Sequence, residues 1–468
     1  MKSWQHMLNS TKSLIHELEK ELTSENVLST KEECYAYAQD ASNTRIITNI
    51  PDAVVFVRDK NDVIEVVKKA SKYNMPIICR GAGTNTVGAC RIEHGGIILN
   101  FSKMNKILEI NKENMTAKVQ PGVILGELQK EAEKIGLYYP PDPSNLMVST
   151  IGGSIAQSSG GARTFKYGST KNYILNLEVI TAQGEIMYTG SDTVKNAAGY
   201  NLTSLFVGSE GTLGIITEAT LKLIPKPEDK KVIMAYFDTV EDSISAVNQI
   251  IAKQIAPATI DFMDKNAITT VEKFYPIGLL SDKDAALVIE IDGFKNSIEY
   301  QQDIISKILE ANRASSIQIS NNEEEYNKIW QARRSSMGAC AKLKPNVTTD
   351  DVIVPRERLA LLVSGIQKIC KKYNLEACLV GHVGDGSVHP QIPIDYGNED
   401  EYHRYKMAKS EIYDLTTSLG GIISGEHGIG ADKRPFINQS VNGIALNYMR
   451  MIKQTFDPQN ILNPYKIF

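Results

Sequence analysis

The chain has 468 residues, 51 Lys plus Arg against 55 Asp plus Glu for a formal net charge of −4, and a hydrophobic fraction of 42%. That length exceeds one ordinary core and predicts two large domains or about three smaller ones, while the mild acidity and the lack of a Lys/Arg block argue against nucleic acid as a partner. The six cysteines, Cys34, Cys79, Cys90, Cys340, Cys370 and Cys378, are scattered without CxxC or iron-sulfur spacing, which predicts a reduced cytoplasmic protein with no cluster of its own.

The first segment, MKSWQHMLNSTKSLIHELEKEL, lacks the apolar core of a signal peptide and has the spacing of an amphipathic helix, with Trp4, Leu8, Ile15, Leu18 and Leu22 along one side. No later run is long enough to span a bilayer. From Asp52 to Cys90 the pattern predicts strand, turn, helix, strand and glycine loop. GGIILNF, NKILEIN and TAKVQPG then read as short strands, ILGELQKEAEKIG as a helix, and LEVITAQGEIMYTG as a hairpin turning at Gln183 and Gly184. The strand in GTLGIITEATLKLIP ends at Pro225, and KPEDKK at 226–231 is the best domain joint in the chain. Beyond it, the strand VIMAYF, the helix VEDSISAVNQIIAK, the strand ALVIEIDG and the helix SIEYQQDIISKILEANRA alternate, which predicts a separate α/β sandwich.

RGAGTNTVG, Arg80 to Gly88, follows a strand and offers backbone N–H groups to a phosphate. It is neither a Rossmann fingerprint, since its third glycine is late and strands follow, nor a Walker loop, since G-K-[ST] is missing. Alone it would serve equally well as a structural turn. Two further segments carry the same theme: PPDPSNLMVSTIGGSIAQSSGGARTFKYGS from Pro140, and YNLTSLFVGSEGTLGIITEATLKLIPKP from Tyr200, with Gly208, Gly211 and Gly214. Such small-residue segments let backbone approach a large flat ligand. In the second half, GHVGDGSVHP sets His382 and His389 around Asp385 and a pair of turn glycines. Two histidines suggest a metal, but a third ligand has to come from elsewhere.

The order RGxGT, PxDP with TIGGSIA, LFVGSEGTLGIITEATLKL, DDVIVP at 350–355, GHVGDGSVH, SGEHGIGADKR at 424–434 and the terminal TFDPQNILNPYKIF resembles the glycolate oxidase and D-lactate dehydrogenase family of flavoenzymes, whose FAD-binding domain is of the vanillyl-alcohol-oxidase type. The resemblance covers the chain from about residue 40 onward. It implies an α+β chain: an N-terminal helical segment (1–44), a two-subdomain FAD-binding domain (45–225), an α/β sandwich cap or substrate domain (226–420), and a C-terminal segment (421–468) returning to the FAD domain. By the same resemblance FAD is bound by Arg80, Gly81, Ala82, Gly83, Thr84, Asn85 and Gly88, by Pro140, Asp142, Thr150, Gly152, Gly153, Ser154 and Gly160, and by Glu210, Gly211, Ile215, Ile216 and Asn463. Covalent relatives carry a histidine in or near the first loop; here Thr84 and Asn85 stand there and His94 does not match, so dissociable FAD is expected.

The resemblance also assigns His382, His389 and Glu426 to a divalent metal (Zn, Fe or Mn) and His427 to proton abstraction, and it points to Arg333 as the anchor of a substrate carboxylate; IWQARRSSMG reads as a helix, which would set Ser336 and Met337 on the face of Arg333. A His₂Glu set leaves coordination positions open, as a catalytic metal requires, and a guanidinium suits a carboxylate. Asp385 is expected as a turn acid or as the carboxylate orienting His382. Ser387 stands where the family often has Asn, and Tyr465 where Gly is usual. The implied activity is an FAD-dependent D-2-hydroxyacid dehydrogenase, with D-lactate first, glycolate next and a D-2-hydroxyglutarate-type enzyme as runner-up; an inactive flavin-binding scaffold is the competing class. Electrons are expected to leave to a protein partner, an electron-transfer flavoprotein or an iron-sulfur protein.

Overall fold

Valine- and isoleucine-rich runs pair in parallel at the start of the fold: Ala53–Phe56 and Ile77–Arg80 both flank Ile97–Asn100, and Val27–Leu28 adds an antiparallel edge. This computed structural model describes the backbone of residues 2–42 and 49–468 and the side chains of residues 10–42 and 49–468. Trp4 and Leu8 lie outside the described side chains; the helix Lys2–Leu22 that contains them buries Leu14, Leu18 and Leu22 against the crossover helix Lys60–Tyr73. Asp59 caps that crossover by accepting from the N–H groups of Asn61 and Asp62, and Asn74, at φ 49°, ends it in the left-handed region that Asn tolerates.

The chain divides into two compact units, 1–159 with 169–226 and 427–468, and 160–168 with 227–426. The first unit holds the parallel sheet and a second, wholly antiparallel one, ordered Ile107–Asn111, Thr116–Val119, Ile215–Lys222, Ile174–Ile180, Ile186–Tyr188. Its hairpin turns through Gly184 at φ 79°. The chain end rejoins this unit, where Asn463 N–H donates to the Ile77 carbonyl at 2.8 Å.

The second unit is built on one antiparallel sheet, ordered Ser316–Ile319, Asp229–Phe237, Ala285–Gly293, Thr259–Asp264, Cys378–His382, Ser387–Ile394, Asn346–Thr349, with Val352–Ile353 pairing to Ser387–Ile394. Alternate positions Val232, Met234, Tyr236, Ala286, Val288, Cys378 and Val380 share one core with the helices Lys265–Phe274 and Glu323–Arg334. The intervening positions Ile233, Ala235, Leu287 and Ile289 are buried as well, so both faces are covered. Helices Val240–Ala252 and Lys295–Ala311 pack on these same strands.

Three features differ from the sequence reading. Thr259–Asp264 and the helix after it stand between the helix at 240–252 and the strand at 285–293, where the periodicity predicts neither. Residues 160–168, expected within the FAD-binding domain, and 421–426, expected with the C-terminal segment, belong to the second unit. The reason for the former is electrostatic: Arg163 Nε donates to Glu290 at 3.0 Å, Tyr167 Oη to Asp292 at 2.6 Å, and Lys166 pairs with Asp292. Finally, the helix that carries Arg333 stops at Arg334, and a short helix, Ser336–Cys340, begins after Ser335. Among the described residues, no helix is long and apolar enough to cross a membrane.

Candidate metal centre and flavin loops

His382 ends the strand Cys378–His382, and His389 lies on the adjacent antiparallel strand Ser387–Ile394, where its register partner is Val380. The positive-φ glycine at 386 turns the chain between them. The two rings stand edge to face with centroids 5.1 Å apart. Glu426 brings Oε1 to 3.4 Å from His389 Nε2 and 3.7 Å from His382 Nε2. One ligand atom from each of the three residues lies within 4.8 Å of the others.

Each imidazole is oriented by a second residue, and Glu426 is held through its backbone. His389 Nδ1 lies 3.2 Å from the Asp350 carbonyl, which can only accept, so Nδ1 is the donor there and Nε2 is the nitrogen that faces Glu426. His382 Nδ1 lies 2.7 Å from Asp261 Oδ1. Asp351 accepts from the N–H groups of Gly425 at 2.8 Å and Glu426 at 2.7 Å and from Ser424 Oγ at 3.2 Å, which fixes the turn that presents Glu426. Asp385 serves the turn, accepting from the Ser387 N–H and hydroxyl, while the carboxylate on His382 is Asp261. Serine at 387 therefore has a partner of its own.

The electrostatics favour a cation at this place. Burial works against charge on His382, yet Asp261 and Glu426 raise its pKa well above the ordinary imidazole value. Burial would likewise raise the Asp261 carboxyl, but His382 and Arg333 outweigh it and hold that pKa down. Two imidazole nitrogens whose Nδ1 atoms are engaged behind them, converging with a carboxylate oxygen, fit a divalent ion of the zinc, iron or manganese type. Arg333 Nε lies 2.7 Å from Asp261 Oδ2, a close ion pair whose N–H is not aimed along a linear hydrogen bond. Ser336 accepts from Gln391 Nε2 at 3.3 Å, and Met337 packs against the core under the sheet. Gly160 is in this unit too, against Glu426.

The other residues expected at the flavin lie in the first unit. A Cβ on Gly81 would meet Thr150 Oγ1 at 2.1 Å, and one on Gly83, at φ 72°, would meet the Arg80 guanidinium at 2.2 Å, so this loop stays bare backbone. Arg80 Nη1 donates to the Gln39 carbonyl at 2.7 Å; Ala82 is exposed and Thr84 half-buried. Asn85 Oδ1 accepts from the N–H groups of Val87 and Ala89, and its Nδ2 donates to the His427 carbonyl at 3.2 Å. Thr150 caps the helix Ile151–Gln157 through Gly153 N–H, and the backbone at Gly152 passes so close to Pro121 that a Cβ would clash at 2.6 Å. Ser154 shares a buried hydrogen bond with Thr170. Glu210 accepts from Ile429 and Gly430 N–H, and Asn463 Nδ2 donates to the carbonyls of Ala89 and Glu210. Burial pushes Glu210 up to about 7. Gly88 and Gly211 have positive φ, Ile215 and Ile216 open the strand Ile215–Lys222, and Pro140 and Asp142 follow the strand Leu137–Tyr138. His94 packs edge-on against Tyr465, centroids 4.7 Å apart, and Tyr465 sits at φ 65°, which explains why glycine suits that position.

Sequence reasoning misses Asp261, Asp351 and the Asp350 carbonyl. DDVIVP stands out as a motif but not as a pair of anchors, and TIDFMD is singled out neither as a strand nor as a motif.

Residues 51–190 match the family described as FAD binding domain, and residues 226–467 the family described as FAD linked oxidases, C-terminal domain. The chain is 43% identical to the glycolate oxidase subunit GlcD of Bacillus subtilis (strain 168) over 92% of each chain, and 35% identical to a D-lactate dehydrogenase of Anaerostipes hadrus over 89% of each. Among solved structures, p-cresol methylhydroxylase with substrate bound superposes with a TM-score of 0.83 over 98% of this chain and 97% of that one, at 17% identity, a likeness of fold.

Proposed function

Since the chain belongs to the FAD-linked oxidases and is an FAD-dependent oxidoreductase, we propose that it oxidises D-2-hydroxy acids, D-lactate to pyruvate above all, with the aid of a divalent metal at His382, His389 and Glu426. The observation that carries this reading is the convergence of those three side chains, both imidazoles fixed from behind, with ligand atoms within 4.8 Å. When bound, the metal lowers the cost of deprotonating an α-hydroxyl and FAD accepts the C2 hydrogen as hydride at N5.

The protein's own groups do the rest. Arg333 receives the C1 carboxylate. His427, next in sequence to the ligand Glu426, takes the hydroxyl proton. Met337 offers an apolar, adaptable surface to a methyl group. Lys344 Nζ is bound by Glu401 at 2.6 Å and Lys342 Nζ lies 4.1 Å from the Tyr275 ring centre, so both cations near this helix in sequence have other partners than a second substrate carboxylate. Glycolate fits the same arrangement without using the methyl contact. FAD is bound non-covalently, His94 being engaged with Tyr465.

Six unpaired cysteines suit a reducing cytoplasm. They offer no cluster to accept flavin electrons, so these pass to a protein partner, an electron-transfer flavoprotein or an iron-sulfur protein. The test is anaerobic mixing of the flavoprotein with a panel of D- and L-hydroxy acids while flavin absorbance is followed. Bleaching by D-lactate is expected; no bleaching by any hydroxy acid would leave the scaffold reading standing.

A further inference from the structure

Asp261 is 1% exposed and faces His382 as its direct register partner on the neighbouring antiparallel strand. Its two oxygens are divided: Oδ1 lies 2.7 Å from His382 Nδ1, and Oδ2 lies 2.7 Å from Arg333 Nε. Directly opposed residues bring their Cβ atoms to about 5 Å, so the strand pairing itself fixes where this carboxylate meets the ring. The partners come from separate elements, a strand end and the last turn of the helix Glu323–Arg334.

We propose that Asp261 is a positioning residue that sets the metal site and the carboxylate anchor together: one buried carboxylate orients the His382 ring toward the metal and the Arg333 guanidinium toward the substrate. This rests on the reading of His382 and Arg333 given above. By accepting from Nδ1 it leaves the lone pair on Nε2, the atom nearest Glu426, and makes that nitrogen a better donor. By pairing with Arg333 it offsets a positive charge that would otherwise oppose a divalent ion. A carboxamide keeps the shape but can supply neither the charge nor two acceptor oxygens.

The test uses the intact flavoprotein. Asp261→Asn is expected to keep its FAD content and to lose zinc affinity by about 10- to 100-fold in competition with a chromophoric chelator. At saturating zinc its KM for D-lactate is expected to rise by on the order of tenfold with a smaller change in kcat, a split that a merely structural role would not produce. Arg333→Gln touches no ligand atom, yet it removes a positive charge and frees Asp261 for His382, so zinc should bind roughly three- to tenfold more tightly. Parental zinc affinity in both variants, or an unchanged KM in Asp261→Asn, would overturn the shared role. If Asp261→Asn fails to fold, the zinc affinity of Arg333→Gln decides. If no hydroxy acid reduces the parental flavin, the functional reading falls while the zinc measurements still decide on Asp261.

Discussion

Gly160 lies directly against the Glu426 carboxylate: a Cβ built on it would sit 2.5 Å from Oε2. The atom in the way is the far end of a side chain, so Gly160→Ala should be absorbed by displacing Glu426 rather than by unfolding. We expect metal affinity to fall on the order of tenfold while the melting temperature moves by less than about 2 °C. A chelator titration beside a thermal melt checks both, and unaltered metal binding would show that Glu426 does not need its present position.

Removing the metal should separate the two cofactors. Chelator treatment is expected to leave FAD bound, because the flavin loops and the His₂Glu set are different residues, and to abolish reduction of the flavin by D-lactate. Adding a divalent ion back should restore reduction in the parent but not in His382→Ala. Full activity in a sample shown to be metal-free would refute the metal's role.

His427→Ala should keep both FAD and metal, since the bond from Asn85 goes to the backbone carbonyl of residue 427, which alanine retains. The reductive half-reaction should slow by about a hundredfold or more, the scale of a positioned base. Stopped-flow bleaching measures this; the parental rate would remove His427 from the chemistry.

A dicarboxylate should be a poor substrate. With Lys342 and Lys344 engaged elsewhere, a second carboxylate beside Met337 would be buried without a partner, at a cost of several kcal/mol. D-2-Hydroxyglutarate is therefore expected to show kcat/KM at least about a hundredfold below D-lactate, with L-lactate also poor. Equal values for the two D-acids would point to a cation from another part of the chain.

Asp264 gives the protein a pH-dependent weakness. Burial raises this carboxyl from 3.8 to about 6, although it accepts from the N–H groups of Ala267 and Leu379. The folded protein thus keeps a proton that the unfolded chain has released, and stability falls as pH rises from about 4 to about 6, with the loss complete above that. Asp264→Asn resembles the protonated acid and keeps an oxygen for both N–H groups. It should flatten this slope and be more stable than the parent at pH 7.5 by on the order of 1–3 kcal/mol. Urea unfolding at several pH values checks it; a variant less stable than the parent at pH 7.5 would mean that the ionised carboxylate is the form the fold needs.

The parts of the site that are legible in the sequence are those whose chemistry is local. GHVGDGSVH and SGEHG carry the proposed ligands on glycine turns, and RGAGT announces bare backbone, so short windows suffice. Asp261 is hidden because its meaning depends on a partner 121 residues away, and nothing local in TIDFMD marks it. Asp351 is similarly opaque, since its three donors come from Ser424, Gly425 and Glu426. Arg333 does lie on a helix as its spacing predicts, but the break at Ser335 depends on packing that helical spacing alone does not register. Residues 160–168 show no change of composition at either end, because what assigns them to the second unit is Glu290 and Asp292 on a distant strand.

That short stretch bears on how the molecule can be made. The polypeptide passes from one unit to the other after residues 159, 168, 226 and 426, so neither unit is a continuous piece of the gene. A fragment spanning 227–426 would lack Arg163 and leave Glu290, 1% exposed, with only the neutral donors Tyr326 and Trp330, a loss on the scale of about 3–5 kcal/mol for a broken buried pair. In chain order the second unit is complete only at residue 426, and the first only within 427–468. Recombination or splitting of this enzyme at the 226 joint would therefore divide both units rather than separate them.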